Sequence, residues 1–224
     1  MQITRRQALG GVSALVLVGV LAGVGAWMSG SRPVESAPAK DTANPDIMAP
    51  GPLGEQTLGN PDAPVAVIEY ASVTCSHCAD FHTHHFPALK SRYIDTGKVR
   101  FIFREFARDQ LDMAGFMLAR CAGNDKFFPV VDTLFERQQS WAFGQDRRGP
   151  LLAIAKQAGM SEASFEQCLT NQQIENGLRA VRDRATDKFG VTGTPTFFIN
   201  GKIFRGNPTA DDIGRQIDSY LKTG

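Results

Sequence analysis

The run Val65-Ala66-Val67-Ile68-Glu69-Tyr70 is apolar apart from Glu69, the pattern of a central strand covered on both faces. Ala79 to Tyr93 follows with helical spacing, and Pro87 inside it predicts a kink or a break. Before the central strand, Gly54 to Leu58 is a candidate short edge strand, and residues 59–64 form a Pro- and Asp-containing turn. Thr96-Gly97-Lys98 is a second turn, leading into a strand over residues 98–104. From about 109 to 187 the period changes. Met113, Phe116 and Met117 fall at helical spacing, as do Phe128, Val131, Leu134 and Phe135. Leu151 to Gly159 has an apolar face, Ser161 is placed to cap a helix carrying Phe165, Cys168 and Leu169, and Ile174 to Phe189 is long and amphipathic. Strand pattern returns at Thr196 to Asn200. Asn200-Gly201 is a hairpin signal, Lys202 to Arg205 is the returning strand, and Thr209 to Lys222 is a last helix with Ile213, Ile217, Tyr220 and Leu221 on its apolar face. The class is α/β, with an all-helical block inserted between strands.

The N-terminal residues do not belong to that pattern. Arg5-Arg6 precede an apolar stretch from Ala8 to Trp27, with no acidic residue before Glu35. Residues 1–30 therefore read as an export signal or an N-terminal membrane anchor. Thr4-Arg5-Arg6-Gln7-Ala8-Leu9 resembles a twin-arginine signal, with Ala8 where a bulky aromatic is common; a Sec signal is the alternative. Ala37-Pro38-Ala39 and Val24-Gly25-Ala26 are candidate cleavage sites, and the apolar stretch also approaches the roughly 20 residues that span a bilayer. Either outcome puts the rest of the chain outside the cytoplasm, in the periplasm, free or tethered. Residues 31–53 are rich in Pro, Ala, Ser and Asp and read as a flexible linker to a domain at 54–224. With 24 Lys and Arg against 23 Asp and Glu, nothing points to nucleic acid or an acidic membrane surface as a partner.

The candidate chemistry lies at the junction of the central strand and the helix after it, in Cys75-Ser76-His77-Cys78. A cysteine at a helix N-terminus meets unpaired backbone N–H groups and the positive end of the helix dipole. Both favour the thiolate, the nucleophile in disulfide exchange. Cys78 is one turn on, able to close a ring or resolve a mixed disulfide, and His77 between them can donate to the thiolate. The alternative is half of a zinc site. Cys121 and Cys168 form no second Cys-x-x-Cys, but all four histidines lie within residues 77–85, and Cys78, His82 and His85 share a helical face. The expectation is that His82 packs near the cysteines while His84 and His85 face solvent. Glu69 is either a strand-end carboxylate reaching solvent or a partly buried acid that handles protons for Cys78. Cys121 and Cys168 are two buried thiols or a structural disulfide between two inserted helices, and an exported destination favours the disulfide.

Cys75-Ser76-His77-Cys78, the Phe81-His82 after it, Arg104-Glu105-Phe106 and Gly193-Thr194-Pro195-Thr196-Phe197 together resemble the DsbA-like thiol:disulfide oxidoreductases, over roughly Gly54 to the C-terminus. The resemblance implies a thioredoxin fold with an inserted helical domain. Cys75 would be the attacking thiolate, Cys78 its resolving partner and His77 a stabiliser of reduced Cys75. Pro195 would be a cis-proline, leaving the Thr194 backbone to pair with a substrate peptide, and Glu69 the family's buried acid. A Cys121–Cys168 disulfide occurs in a subset of the family. No cofactor is expected. The partners would be reduced or unfolded exported proteins and a membrane oxidase that restores the disulfide, with the chain acting as a monomer. Ser76 stands where the best-known oxidases carry proline, and Thr194 is of the isomerase type, so a reductase or isomerase is the second reading and a Cys/His metal-binding protein a third.

Overall fold

The computed structural model describes residues 45–222. The expected export signal or anchor at 1–30 and the first part of the expected 31–53 linker lie outside the described residues. Among the described residues no helix is long and apolar enough to cross a membrane.

Strand β1 (Gln56–Leu58), β2 (Val65–Ala71), β3 (Val99–Glu105), β4 (Thr196–Ile199) and β5 (Lys202–Arg205) form one sheet in the order β1-β3-β2-β4-β5. The central pair β2 and β3 is parallel, with Val65 opposite Val99 and Ala71 opposite Glu105, and the outer pairings are antiparallel. The alternation of a strand assigns faces. Val65, Val67 and Ala71 enter the larger of two cores, and Ile68 and Tyr70 the smaller one on the other side. Glu69 has the parity of Val67 and Ala71, so its carboxylate is carried into the larger core. The Asn200-Gly201 turn between β4 and β5 has both φ angles positive, 46° and 83°, as the tightest hairpin turn requires.

After β2 comes a helical run in four pieces: α1 (Ser76–Asp80), a π-helical turn over Phe81–His85, α2 (Phe86–Leu89) and a second π-helical turn over Lys90–Ile94. Pro87 does not break it. Pro87 sits in the first turn of α2, where a missing N–H costs least, and the widened turn before it lets Phe86 N–H reach back to the Phe81 carbonyl.

The helices between β3 and β4 are α3 (Gln110–Cys121), α4 (Asn124–Glu136), α5 (Gln138–Ala142), α6 (Arg148–Gln157), α7 (Glu162–Leu169) and α8 (Gln172–Phe189). Asp109, Ser161 and Asn171 cap α3, α7 and α8 by accepting from their first N–H groups. Helix α8 ends at Phe189, where the amphipathic pattern ends and two residues beyond the expected edge of the insertion at about 187, and stops at Gly190, in the left-handed region at φ 63°. Cys121, at the end of α3, is bonded to Cys168 in α7 across 47 positions. Replacing both with alanine is expected to lower stability by about 4 kcal/mol, the chain-entropy cost of releasing a loop of that size. Urea unfolding under non-reducing conditions reads it. The last helix, α9 (Ala210–Leu221), starts at a reciprocal Thr209–Asp212 cap and buries Ile213 and Ile217.

Residues 45–53, which composition assigns to a loose linker, are instead docked on the domain. Ile47 is fully buried in the smaller core. Arg184 donates to the carbonyls of Asp46, Ala49 and Pro50, Arg104 to that of Ala49, and Arg120 to that of Leu53. One buried apolar side chain and three arginines satisfying carbonyls offset the entropy of ordering a segment that is otherwise Pro- and Gly-rich.

Candidate active site

Strand β2 ends at Ala71, and Ser72 to Thr74 turn the chain into α1. Cys75 is the N-cap residue of that helix, with extended backbone angles (φ −85°, ψ 121°), its own N–H given to the Ser72 carbonyl and its carbonyl accepting from Ala79. Both cysteines of the motif are free thiols, Cys75 at 8% exposure and Cys78 fully buried. Facing them across the sheet end is the Thr194–Pro195 peptide, which is cis. The Cys75 thiol donates to the Thr194 carbonyl at 3.3 Å.

The two sulfurs are driven in opposite directions. The hydrogen bond from the Cys78 thiol is the largest influence on Cys75. It outweighs burial, which acts the other way, and the Thr194 hydroxyl and the backbone N–H groups of Cys78 and His77 add to it, so the thiol is lowered to about 4. Cys78 is pushed well up, first by burial, then by the hydrogen bond it gives Cys75 and by the negative charge of Glu69 and Cys75. The Thr194 hydroxyl oxygen is buried without a partner while Cys75 is a protonated donor to the neighbouring carbonyl. On ionisation the sulfur becomes an acceptor and that hydroxyl has its partner. His77 acts through its backbone N–H; its ring is exposed and is not among the groups that lower Cys75.

Glu69 does not reach solvent. It is fully buried, and its Oε2 is 2.8 Å from His82 Nε2. The His82 ring stacks on Phe135 (centroids 4.4 Å apart, planes at 17°) and lies 4.9 Å from the Phe86 ring. His82 is thus near the cysteines, as expected, but as the partner of Glu69. His84 is exposed beside Asp80, and His85 is half-buried rather than fully solvated. The helical face shared by Cys78, His82 and His85 is therefore engaged by carboxylates and aromatic rings. Among the described residues no group of three or more His, Cys, Asp or Glu side chains is placed to hold a metal ion.

Two residues of the insertion that no local pattern singled out hold the loop before Cys75. Asp112 of α3 is fully buried. It accepts from Ser72 Oγ at 2.8 Å, from Thr74 N–H at 2.9 Å and from Arg108 N–H at 3.1 Å, while the Arg108 guanidinium bonds Ser72 Oγ and Thr74 Oγ1. Burial, the larger influence, raises the Asp112 carboxyl against these donors. Gln138 of α5 gives its amide hydrogens to the carbonyls of Val73 (2.8 Å) and Cys75 (3.0 Å). The inserted helices thereby fix the backbone that aims Cys75. Asp112→Ala leaves a hydroxyl and two backbone N–H groups without their acceptor and is expected to cost about 3 kcal/mol, read as a shifted urea midpoint of the reduced protein.

A partly accessible sulfur ionised at neutral pH, a buried protonated sulfur one turn away and an open carbonyl beside them can exchange disulfides with an extended peptide. A model of the thioredoxin family matches residues 53–219. A chain of Rickettsia typhi named as a protein-disulfide oxidoreductase is 36% identical over 169 residues, 75% of this chain and 62% of the relative, so this chain spans less than two thirds of that relative's length. The disulfide bond formation protein D of Bacillus subtilis is 27% identical over 185 residues, 77% of this chain and 80% of the relative. The crystal structure of Wolbachia pipientis alpha-DsbA1 superposes with a TM-score of 0.73 at 33% identity, covering 81% of this chain and 97% of that one.

Proposed function

The chain belongs to the DsbA-like thiol:disulfide oxidoreductases of the thioredoxin superfamily, and from that premise we propose that it is an exported dithiol oxidase that passes the Cys75–Cys78 disulfide to reduced proteins in the periplasm. The observation that carries the reading is the opposite displacement of the two thiols. A substrate thiolate attacks Cys75 Sγ, the Cys75–Cys78 bond breaks, and Cys78 leaves as a thiolate that its surroundings force to take up a proton. A second substrate thiolate then attacks the substrate sulfur of the mixed disulfide. Cys75 departs with the electron pair as a stable thiolate, and the substrate keeps the new S–S bond. Two electrons have moved from substrate to the cysteine pair, so a further oxidant must restore it. A membrane oxidase outside the cytoplasm fits that need.

Thr194 and Pro195 supply the edge against which an extended substrate pairs, in the manner of strand addition. Glu69 exchanges the proton of Cys78. Cys121–Cys168 is structural, and the chain acts as a monomer without nucleic acid or cofactor. Ser76 in the motif and Thr194 before Pro195 favour a second reading, a reductase or isomerase fed by an electron donor. Trapping the thiols of Cys75 and Cys78 in intact cells separates the two. A pair found mostly oxidised supports the oxidase, and a pair found mostly reduced overturns it in favour of the second reading.

A further inference from the structure

The Glu69–His82 pair has two loose ends. Glu69 Oε1 and His82 Nδ1 are both buried without a hydrogen-bond partner, while Oε2 and Nε2 hold each other at 2.8 Å. Unpartnered buried polar atoms are costly and call for an explanation. One end of the pair looks toward the chemistry, since the Glu69 charge acts directly on Cys78. At the other end, His82 lines a cleft of about 270 Å³ together with Thr83, Lys90, Asp132 and Glu136. Asp132 is close enough to His82 to be influenced by its charge.

We propose that His82 is the proton carrier behind Glu69, linking Cys78 to this cleft; the inference rests on the disulfide-exchange reading above. The role requires that, during exchange, carboxyl and imidazole together carry one transferable proton between them. When the Cys75–Cys78 bond opens, the Cys78 thiolate takes that proton from Glu69. His82 gives Glu69 its Nε2 proton and is recharged at Nδ1 from the cleft. When the bond closes, the same atoms run the proton outward, and no oxidant or reductant is involved beyond the thiols themselves. The charged and titratable groups facing His82 are Glu69 from β2, Lys90 from the second π-helical turn, and Asp132 and Glu136 from α4. His82 touches neither substrate nor sulfur, so it is a positioning residue that acts through Glu69.

The test uses the full chain in mild detergent, reduced and mixed with oxidised glutathione between pH 6 and 8. Acid quenching and mass measurement give the formation and the lifetime of the Cys75–glutathione mixed disulfide. His82→Gln keeps a donor to Glu69 but cannot carry a proton. It is expected to leave formation unchanged and to lengthen the lifetime about a hundredfold, the scale of a general acid–base contribution. Resolution should then rise about tenfold per pH unit, as hydroxide replaces the ring. Glu69→Gln combined with His82→Gln should be no slower than Glu69→Gln alone. A His82→Gln protein with the lifetime and pH profile of the wild type overturns the role of His82 and leaves the exchange reading intact. A wild-type chain that forms no mixed disulfide at Cys75 overturns both. A measurement needing no variant is the nitrogen NMR of the His82 ring. The ring nitrogen that carries the proton should differ between the oxidised and reduced wild-type protein at one pH, and identical signals in both would overturn the proposal.

Discussion

Exchanging Cys75 for serine removes disulfide exchange down to the uncatalysed background, and exchanging Cys78 for serine leaves the protein covalently joined to its substrate. The two outcomes follow from what each sulfur does. Cys75 is the sulfur with access to solvent, and several donors hold it as a thiolate at neutral pH. A serine hydroxyl cannot be ionised by the same donors and cannot form an S–S bond, so no packing adjustment rescues it. Cys78 is buried and has no path to an external disulfide. Its loss leaves the first attack intact and removes only the internal escape from the mixed disulfide. Insulin reduction or refolding of a reduced test protein reads the first variant. Non-reducing electrophoresis of the second, after mixing with an oxidised peptide, reads the trapped adduct. A Cys75→Ser protein with appreciable exchange activity would place the chemistry elsewhere in the chain.

The second large effect is the dependence of reduced-state stability on pH. In the folded protein the Cys75 thiol ionises near 4, against an ordinary value near 9 that applies in the unfolded chain. Folding therefore favours the thiolate. The contribution is complete above pH 9 and is lost as pH falls toward 4, at about 1.4 kcal/mol per pH unit between those limits. At pH 7 it is on the order of 4 kcal/mol. Cys78 adds nothing there, because its raised thiol is protonated in both states. The oxidised protein has no ionisable Cys75, so the difference in unfolding free energy between reduced and oxidised protein isolates the effect from every other carboxylate and histidine. That difference should grow by about 4 kcal/mol between pH 4 and pH 7. A flat difference would mean that the donors around Cys75 do not hold the thiolate.

The same asymmetry explains how much of the site could be read before the fold was known. Cys75 and Cys78 announce themselves through local spacing at a strand-to-helix junction, and Thr194–Pro195 through its place just before a strand. Sheet and insertion follow from short apolar runs bounded by turns and from runs with helical spacing. What local pattern cannot carry is contact between distant positions. Ser72 and Asp112 are 40 residues apart, and Cys75 and Gln138 are 63 apart. An acid in the first turn of a helix ordinarily reads as a solvated partner of the dipole. Glu69 could be placed on a face by strand parity only once its neighbours were assigned to a core, and its pairing with His82 joins a strand to the helical run after it. Ile47 was hidden for the opposite reason: a few apolar residues scattered in a Pro- and Ala-rich stretch have no period, and only the sheet face and the α8 side chains around Ile47 make it core.

Asp112, Gln138 and the carbonyl of Thr194 together mean that the potential of the cysteine pair is set from three sides: the loop before it, the helix it caps and the strand end that faces it. Stabilising the thiolate by about 4 kcal/mol at pH 7 raises the reduction potential by roughly 85 mV for a two-electron couple. The most direct test is the reduction potential of Cys75–Cys78, by equilibration in glutathione buffers at pH 7. A value near −120 mV, the oxidising end of the range for thioredoxin-like pairs, is the predicted result and makes the pair a donor of disulfides. A value near −270 mV, the reducing end, would contradict the account and assign the pair to reduction.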